Sequence, residues 1–161
     1  MDIRPVQPSD AAEWLRMRLA LWPDATPDKE AHEIAHFLAV PARPVLPTLH
    51  AVFVCPRPEA GLCGFVEVSI RPYADGCETM DVGYLEAWYV DPDARGQGIG
   101  RALVTAAEAW ARRHGCREMA SDTNLANNAS QAESKQIFEA LRRAVDAIGP
   151  AELRVTKSQV A

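Results

Sequence analysis

Residues 85–103 read LEAWYVDPDARGQGIGRAL and decide most of what this sequence predicts. The first six residues are rich in aromatic and β-branched side chains, which is typical of a strand, and Asp91-Pro92-Asp93 predicts a turn after it. Glycines at 96, 98 and 100 then predict a loop that runs into a helix. Because glycine lacks a Cβ, the backbone N–H groups of such a loop can crowd around an anion. We therefore predict a phosphate or pyrophosphate site, to which the helix N-terminus, Arg95 and Arg101 add positive charge.

The spacing of the glycines narrows the kind of phosphate site. No Gly-Lys-Ser or Gly-Lys-Thr follows, which excludes a Walker loop, and the third glycine comes one residue too early for a dinucleotide fingerprint. The pattern that remains is Arg95-x-x-Gly98-x-Gly100, after a strand that ends at Val90. It resembles the acetyl-coenzyme A loop of the GCN5-related N-acetyltransferases. The alternative is a glycine-rich turn that binds no ligand.

Length and composition restrict the class of protein to which this chain can belong. A chain of 161 residues with 48% hydrophobic residues is expected to form one folded domain over 1–161. A net charge of −5 argues against a general nucleic-acid binder. We expect a cytoplasmic protein with no membrane segment, since there is no long apolar run and no signal peptide. The four cysteines are scattered without a C-x-x-C pair, which favours free thiols.

Hydrophobic periodicity, caps and prolines predict an α+β fold with a mixed central sheet flanked by helices. We predict that Ser9 caps the first helix and that the second helix begins at Pro27. The predicted strands cover 3–6, 50–55, 63–71, 82–90, 117–121 and 152–155, and the predicted helices cover 9–22, 26–39, 98–114 and 130–148. This order of elements is that of the acetyltransferases named above.

Glu86 is the one charged residue of the strand 84–90. Strand alternation places it on the same face as Tyr84 and Trp88. A half-buried carboxylate needs a partner or a function. One interpretation is an ion pair or a cross-strand partner. The other is that Glu86 holds a substrate ammonium and accepts its proton, directly or through water, because acetyl transfer requires a neutral amine.

Three further side chains are candidates for the same site. Asp122 ends a predicted strand and either faces the cleft with Glu86 or caps a turn. Trp22 and Tyr73 are aromatic side chains that suit the face of a sugar or a cation, although Trp22 at a helix end is also a candidate for the core.

Short motifs along the chain carry a narrower resemblance. They are MDIR at 1–4, LWP at 21–23, SIR at 69–71, DGC at 75–77, YLEA at 84–87 and GCREMASDT at 115–123. Together they resemble the chromosomal-type aminoglycoside 6′-N-acetyltransferases over about residues 1–131. The resemblance implies a homodimer that transfers acetyl from acetyl-coenzyme A to the 6′-amine of an aminoglycoside, without a metal, by direct attack in a ternary complex.

The resemblance also assigns site residues. It implies that Trp22, Tyr73, Glu86 and Asp122 line the antibiotic site, with the two carboxylates in catalytic roles. The residues implied to hold the cofactor are Trp88, Tyr89, Val90, Arg95, Gly96, Gln97, Gly98, Ile99, Gly100, Arg101 and Asn127.

The pattern breaks after Gln131. Ser134 stands where the family has a histidine, the Leu-Gly-Phe that should follow is missing, and no tyrosine occurs after Tyr89. The tyrosine that commonly protonates the departing thiolate is therefore not assigned, and residues 132–161 form an atypical tail.

Two alternatives remain at the level of function. The first is an acetyltransferase fold that acts on a peptide or a polyamine, or that is inactive. The second is a zinc metalloprotease, because His32-Glu33-Ile34-Ala35-His36 matches H-E-x-x-H on a predicted helix. No third ligand follows at a known spacing, and both histidines lie off the apolar face, as solvated histidines would.

Overall fold

The structure is a computed structural model that describes residues 2–39, 50–122 and 154–158. In chain order the elements are β1 (Arg4–Pro5), α1 (Ala11–Leu21), α2 (Pro27–Ala39), β2 (His50–Pro56), β3 (Leu62–Arg71), β4 (Val82–Val90), α3 (Ile99–Arg113), β5 (Glu118–Asp122) and β6 (Arg154–Ser158). Short 3₁₀ turns at Pro8–Asp10 and Pro92–Ala94 precede α1 and follow β4. The predicted α+β class is confirmed, and β4 agrees with its prediction at both ends. The predicted helix over 130–148 lies outside the described residues.

The strands of the described residues form one mixed sheet in the order β1-β2-β3-β4-β5-β6. β1 runs antiparallel to β2, with Arg4 opposite Val54. β5 runs parallel to β4, with Gly83 opposite Met119, and β6 runs parallel to β5. A parallel pair needs a long crossover, and α3 lies in the chain between β4 and β5. The terminal strand covers 154–158 rather than the predicted 152–155.

Contacts between Cα atoms divide the chain into two compact units. The first comprises Met1–Glu67 and Ala87–Ala107. In α1, Trp14 and Met17 are 1% and 0% exposed and lie three residues apart, so that they share one helix face. The buried cluster of this unit is Trp14, Met17, Ile34, Val52, Val54, Leu62, Phe65 and Ala87.

The start of α1 differs from the prediction. Ser9 lies inside the 3₁₀ turn, and Asp10 takes the place expected for Ser9 just before the helix. The Asp10 carboxylate accepts hydrogen bonds from the Gln7 backbone N–H at 2.8 Å and from both terminal nitrogens of Arg4 at 2.7 and 3.0 Å. These bonds connect the 3₁₀ turn to Gln7 and Arg4, and the Asp10 side chain makes no capping hydrogen bond to α1 itself. The predicted Ser9 cap is therefore wrong.

The second unit comprises Val68–Glu86 and Glu108–Ala161. Its buried cluster contains Ala74, Val82, Tyr84 and Ala120, with Cys77 packed against it. A single domain over 1–161 stays a prediction. None of the helices in the described ranges combines the length and the apolar character needed to cross a membrane.

Candidate functional site

The glycine-spaced loop lies at the N-terminus of α3, as the sequence predicts. Gly96 and Gly98 have φ angles of +75° and +80°, and a Cβ added at either would meet no atom within 4 Å. These two glycines are needed for their left-handed backbone, which L side chains rarely adopt. The Ala102 N–H donates to the Gly98 carbonyl at 3.1 Å, which closes the first turn of the helix. The N–H groups that precede Ala102 have no acceptor within the helix and can face an anion.

Gly100 serves a different purpose. A Cβ there would lie 2.3 Å from Cζ2 and 3.1 Å from Cε2 of the Trp88 indole. The third glycine of the motif therefore lets α3 lie against β4, and it is required by packing rather than by an open approach to a ligand. The indole Nε1 of Trp88 is buried and has no hydrogen-bond partner among the described residues.

The cations of the loop are exposed, as an ion site at the surface requires. Arg95 and Arg101 are both exposed to solvent. The Arg95 Nε donates to the Val90 carbonyl at 3.1 Å, and the Gln97 side-chain amide donates to the Asp93 carbonyl at 3.3 Å. These bonds connect the loop to the end of β4.

An ion-pair network anchors the start of this loop, and the sequence reading missed it. The Asp91 carboxylate is 5% exposed and accepts two hydrogen bonds of 2.9 Å from Arg16 in α1. Arg57 reaches Asp91 at 2.8 Å and also pairs with Asp93 through two bonds of 2.8 and 2.9 Å. Burial alone would raise the pKa of Asp91, but the hydrogen bonds from Arg16 and Arg57 outweigh it and lower the net pKa.

The network fixes the turn between β4 and the loop. The Asp91 N–H also donates to the Cys63 carbonyl at 2.9 Å, which ties this residue to β3. Asp-Pro-Asp was the only sequence signal, and it predicts a turn without naming the arginines. Arg16 lies 75 residues from Asp91 in the chain, so no local pattern could have paired them.

The end of β4 offers backbone rather than side-chain groups to a ligand. Val90 is 8% exposed, and the Tyr89 ring packs against the core cluster of the first unit, with its centroid 6.3 Å from that of Phe65. Burial, followed by the negative charge of Asp91, raises the pKa of the Tyr89 phenol. Tyr89 therefore stays protonated near neutral pH.

Glu86 lies in the second compact unit, whereas the glycine loop lies in the first. Arg71 donates to it from Nε at 3.0 Å and from Nη2 at 2.6 Å, so that both carboxylate oxygens are engaged. The Ser69 hydroxyl donates to Oε1. The side chains of Arg71 and Glu86 are 37% and 27% exposed. The cross-strand ion pair considered above is thus present, while both side chains remain open to solvent.

Tyr84 belongs to the same group of side chains as Glu86. The guanidinium carbon of Arg71 lies 3.4 Å from the centroid of the Tyr84 ring, within the range of a cation–π contact. Tyr84 and Glu86 therefore share Arg71 as a neighbour, as the alternation of β4 predicts for residues two apart.

The structure describes three of the four remaining residues predicted for the site. Tyr73 is 72% exposed, in the loop between β3 and β4. Trp22 directly follows α1 and is 37% exposed, so it is not a core residue, and the Arg18 guanidinium lies 5.2 Å from its ring. Asp122 is the last residue of β5 and pairs in register with Ser158. Asn127 lies outside the described residues.

Arg18, which lies beside Trp22, is the centre of an ion-pair network. Its guanidinium bonds Glu30 at 2.6 Å, Glu33 at 2.9 Å and Glu67 at 3.0 Å, and Trp14 donates its indole N–H to Glu67 at 2.9 Å. The side chains of Arg18 and Glu30 are only 12% and 8% exposed. This hub was not predicted, since it joins an arginine of α1 to carboxylates of α2 and β3.

The H-E-x-x-H segment lies in α2. His32 and His36 are exposed, and the Glu33 carboxylate pairs with Arg18 at 2.9 Å and with Lys29 at 3.8 Å. Within residues 2–39, 50–122 and 154–158 there is no group of three His, Cys, Asp or Glu side chains that could hold a metal ion. A zincin needs its glutamate directed at the metal-bound water. In this chain the glutamate is instead part of a surface ion-pair network.

Comparison with known families matches residues 11–133 to the acetyltransferase (GNAT) family. Among similar sequences, an aminoglycoside N(6′)-acetyltransferase type 1 from Klebsiella aerogenes is 52% identical over 129 residues, which cover 80% of this chain and 82% of that protein. A second protein with this name, from Stenotrophomonas maltophilia, is 41% identical over 145 residues, 89% of each chain.

Solved structures agree with this assignment. The aminoglycoside 6′-N-acetyltransferase AAC(6′)-Ih from Acinetobacter baumannii superposes with a TM-score of 0.74 at 30% identity, covering 84% of this chain and 88% of its own. AAC(6′)-Iy, solved in complex with the bisubstrate analogue CoA-S-monomethyl-acetylneamine, superposes with a TM-score of 0.72 at 31% identity and the same coverage. The strand, turn and glycine loop at 85–103 and the matches around them lead to one conclusion: this chain belongs to the acetyltransferase (GNAT) family, alongside aminoglycoside N(6′)-acetyltransferases.

Proposed function

We propose that this chain transfers the acetyl group of acetyl-coenzyme A to the 6′-amine of aminoglycoside antibiotics and so confers resistance to them. The observation that carries the proposal is the open, left-handed Gly96–Gly98 backbone at the N-terminus of α3, flanked by two exposed arginines. It is supported by relatives named for this activity at up to 52% identity.

The residues proposed for the cofactor fit a phosphate-bearing ligand. Acetyl-coenzyme A supplies an acetyl group activated as a thioester. The N–H groups of residues 96–101 would hold its pyrophosphate, since they have no acceptor within α3, whereas the Arg95 N–H donates to the Pro92 carbonyl. The backbone of Trp88–Val90 would bind its extended arm as an added strand would. Asn127, as the resemblance implies, would contact the same arm.

The proposed acceptor side consists of Trp22, Tyr73, Glu86 and Asp122. An aminoglycoside is a polycation, and acidic and aromatic side chains are the groups that bind ammonium and sugar faces. A carboxylate alone would stabilise the protonated amine, which cannot attack a thioester. Arg71 offsets this attraction, because it engages both Glu86 oxygens at 2.6 and 3.0 Å. Glu86 keeps acceptor sites for a water that takes the amine proton.

Transfer is proposed to be direct, from the thioester to the amine, within a ternary complex. A covalent route through Cys63 or Cys116 would need that residue as a thiolate. Burial, followed by the hydrogen bond to Cys55, raises the pKa of the Cys63 thiol to about 12, and burial also raises the pKa of Cys116. Neither thiol is a nucleophile near neutral pH.

The first test measures release of the coenzyme A thiol when the purified protein is mixed with acetyl-coenzyme A and tobramycin. Amikacin, spermine and a peptide amine are the comparison acceptors. Rapid release with the aminoglycosides alone supports the proposal. Release with spermine or the peptide alone would mean that this amine, and not an aminoglycoside, is the acceptor. No release from folded protein would identify an inactive member of the family.

A second test assigns the carboxylates. Glu86→Gln and Asp122→Asn should each raise the KM for tobramycin by about 10-fold or more and leave the KM for acetyl-coenzyme A unchanged. A Thr105→Val variant on the exposed face of α3 serves as the control. An equal rise in the KM for tobramycin and in the KM for acetyl-coenzyme A would identify the two carboxylates as structural.

The remaining proposals concern assembly and location. We propose a single-domain homodimer in the cytoplasm. The dimer rests on the family resemblance, and light scattering after size exclusion would measure its mass. A monomeric mass would contradict the dimer. Stoichiometric zinc in protein purified without a histidine tag, lost only to a chelator, would revive the metalloprotease alternative.

A further inference from the structure

The loop between β3 and β4, residues 72–81, carries two exposed apolar side chains. Tyr73 is 72% exposed and Met80 is 73% exposed. The loop is nevertheless closed at its base, where the Asp81 N–H donates to the Pro72 carbonyl at 3.2 Å. An inner turn is closed by the Cys77 N–H, which donates to the Ala74 carbonyl at 3.0 Å. Ala74 is 9% exposed and belongs to the buried cluster of its unit, so the loop packs against that cluster.

A single buried carboxylate holds the far side of this loop. Glu118, the first residue of β5, is 2% exposed. Its Oε2 accepts hydrogen bonds from the Glu78 N–H at 2.9 Å, from the Thr79 N–H at 2.6 Å and from the Thr79 hydroxyl. These three hydrogen bonds join the Glu78–Thr79 segment to the start of β5, and hydrogen bonds in a buried site are stronger than those exposed to water.

We call the three hydrogen bonds that Glu118 accepts from Glu78 and Thr79 the clamp. The clamp holds a loop that begins beside Glu86. Tyr73 follows Arg71 by two residues, so their Cα atoms are at most about 7 Å apart. Arg71 holds Glu86 through two hydrogen bonds. A ligand whose ammonium approaches Glu86 is therefore within reach of the Tyr73 ring, provided that the loop keeps its conformation.

We infer that Glu118 is a positioning residue for the aminoglycoside. Through Glu78 and Thr79 it holds the loop so that Tyr73 is already placed when the antibiotic arrives. The physical gain is preorganisation, since a loop ordered before binding loses less conformational entropy on binding. This inference rests on the proposed function, because it takes the aminoglycoside as the ligand of Tyr73.

The test removes one hydrogen bond of the clamp and leaves Glu118 in place. Thr79→Val lacks the hydroxyl donor but keeps the β-branched shape, and Thr105→Val, which removes a hydroxyl bonded to the Arg101 carbonyl in α3, is the matched control. We expect Thr79→Val to raise the KM for tobramycin by about 5- to 10-fold, with kcat and the KM for acetyl-coenzyme A within about 2-fold of the unmutated chain. The control should change none of the three.

A double-mutant cycle separates positioning from simple stability. Once Tyr73→Ala has removed the ring, Thr79→Val should have no further effect on the tobramycin KM. Glu118→Gln, which keeps a carbonyl acceptor, should raise the KM less than Glu118→Ala does. An undiminished effect of Thr79→Val in the Tyr73→Ala background overturns the inference.

Calorimetric titration of tobramycin distinguishes this failure from failure of the proposed function. If the unmutated chain neither turns over nor binds tobramycin, the proposed function is refuted and the inference with it. If it does bind, and Thr79→Val binds equally well, only the inference is refuted.

Discussion

Gly100→Ala tests how closely the start of α3 lies against β4. The added Cβ would lie 2.3 Å from Cζ2 of Trp88, whereas ordinary contacts begin at 3.4 Å. The indole or the helix must therefore move by about 1 Å. Overpacking of this kind costs about 1–3 kcal/mol. Alanine in place of a helical glycine returns about 0.5–1 kcal/mol. We expect a net loss of about 1–2 kcal/mol in the free energy of unfolding.

The assay is urea unfolding followed by far-ultraviolet circular dichroism, in two backgrounds. In the Trp88→Leu background the contacting ring atoms are gone, so only the helix-propensity term remains. There Gly100→Ala should stabilise the protein by about 0.5 kcal/mol, a change of sign. If Gly100→Ala destabilises both backgrounds by the same amount, Gly100 is not required by its contact with Trp88, and the reasoning is refuted.

Three further predictions concern the charges and thiols. Asp91→Asn should cost about 2 kcal/mol, between the values for surface and buried ion pairs, because its arginine partners are partly exposed. Since folding lowers the pKa of Asp91, its contribution to the free energy of unfolding is present above about pH 4 and is lost as the pH falls through the folded pKa. A plot of that free energy against pH should therefore be shallower in acid for the variant. Arg18→Met should cost about 3 kcal/mol in urea unfolding, because it leaves the buried Glu30 carboxylate without its cation, and a cost near zero would contradict the hub. With its pKa raised to about 12, Cys63 should resist iodoacetamide at pH 8 while the partly exposed Cys77 reacts, and mass spectrometry of the native protein will show whether the order is reversed.

The parts of this protein that the sequence predicts well are those with a local cause. β4 and the loop after it could be read from alternating aromatic and β-branched residues and from the glycine spacing. α2 could be read from a proline at its first position. The same local pattern gave the wrong residue at Ser9, since Asp10 precedes α1 and accepts two hydrogen bonds from an arginine six residues away.

The contacts that position the site have no local cause. Glu86 was recognised as unusual from its neighbours, but its engagement by Arg71 depends on the register of β3 against β4. The Asp91 and Glu118 contacts join residues 75 and 40 positions apart in the chain. Local spacing cannot encode a pairing of that separation.

The fold class, the glycine loop at the start of α3 and the family follow from the sequence alone, because periodicity, glycine spacing and short motifs act within a few residues. Only the tertiary structure decided which cation meets Glu86, what anchors Asp91 and why Gly100 must lack a side chain. Those answers depend on distances between elements that are far apart along the chain, and packing alone sets such distances.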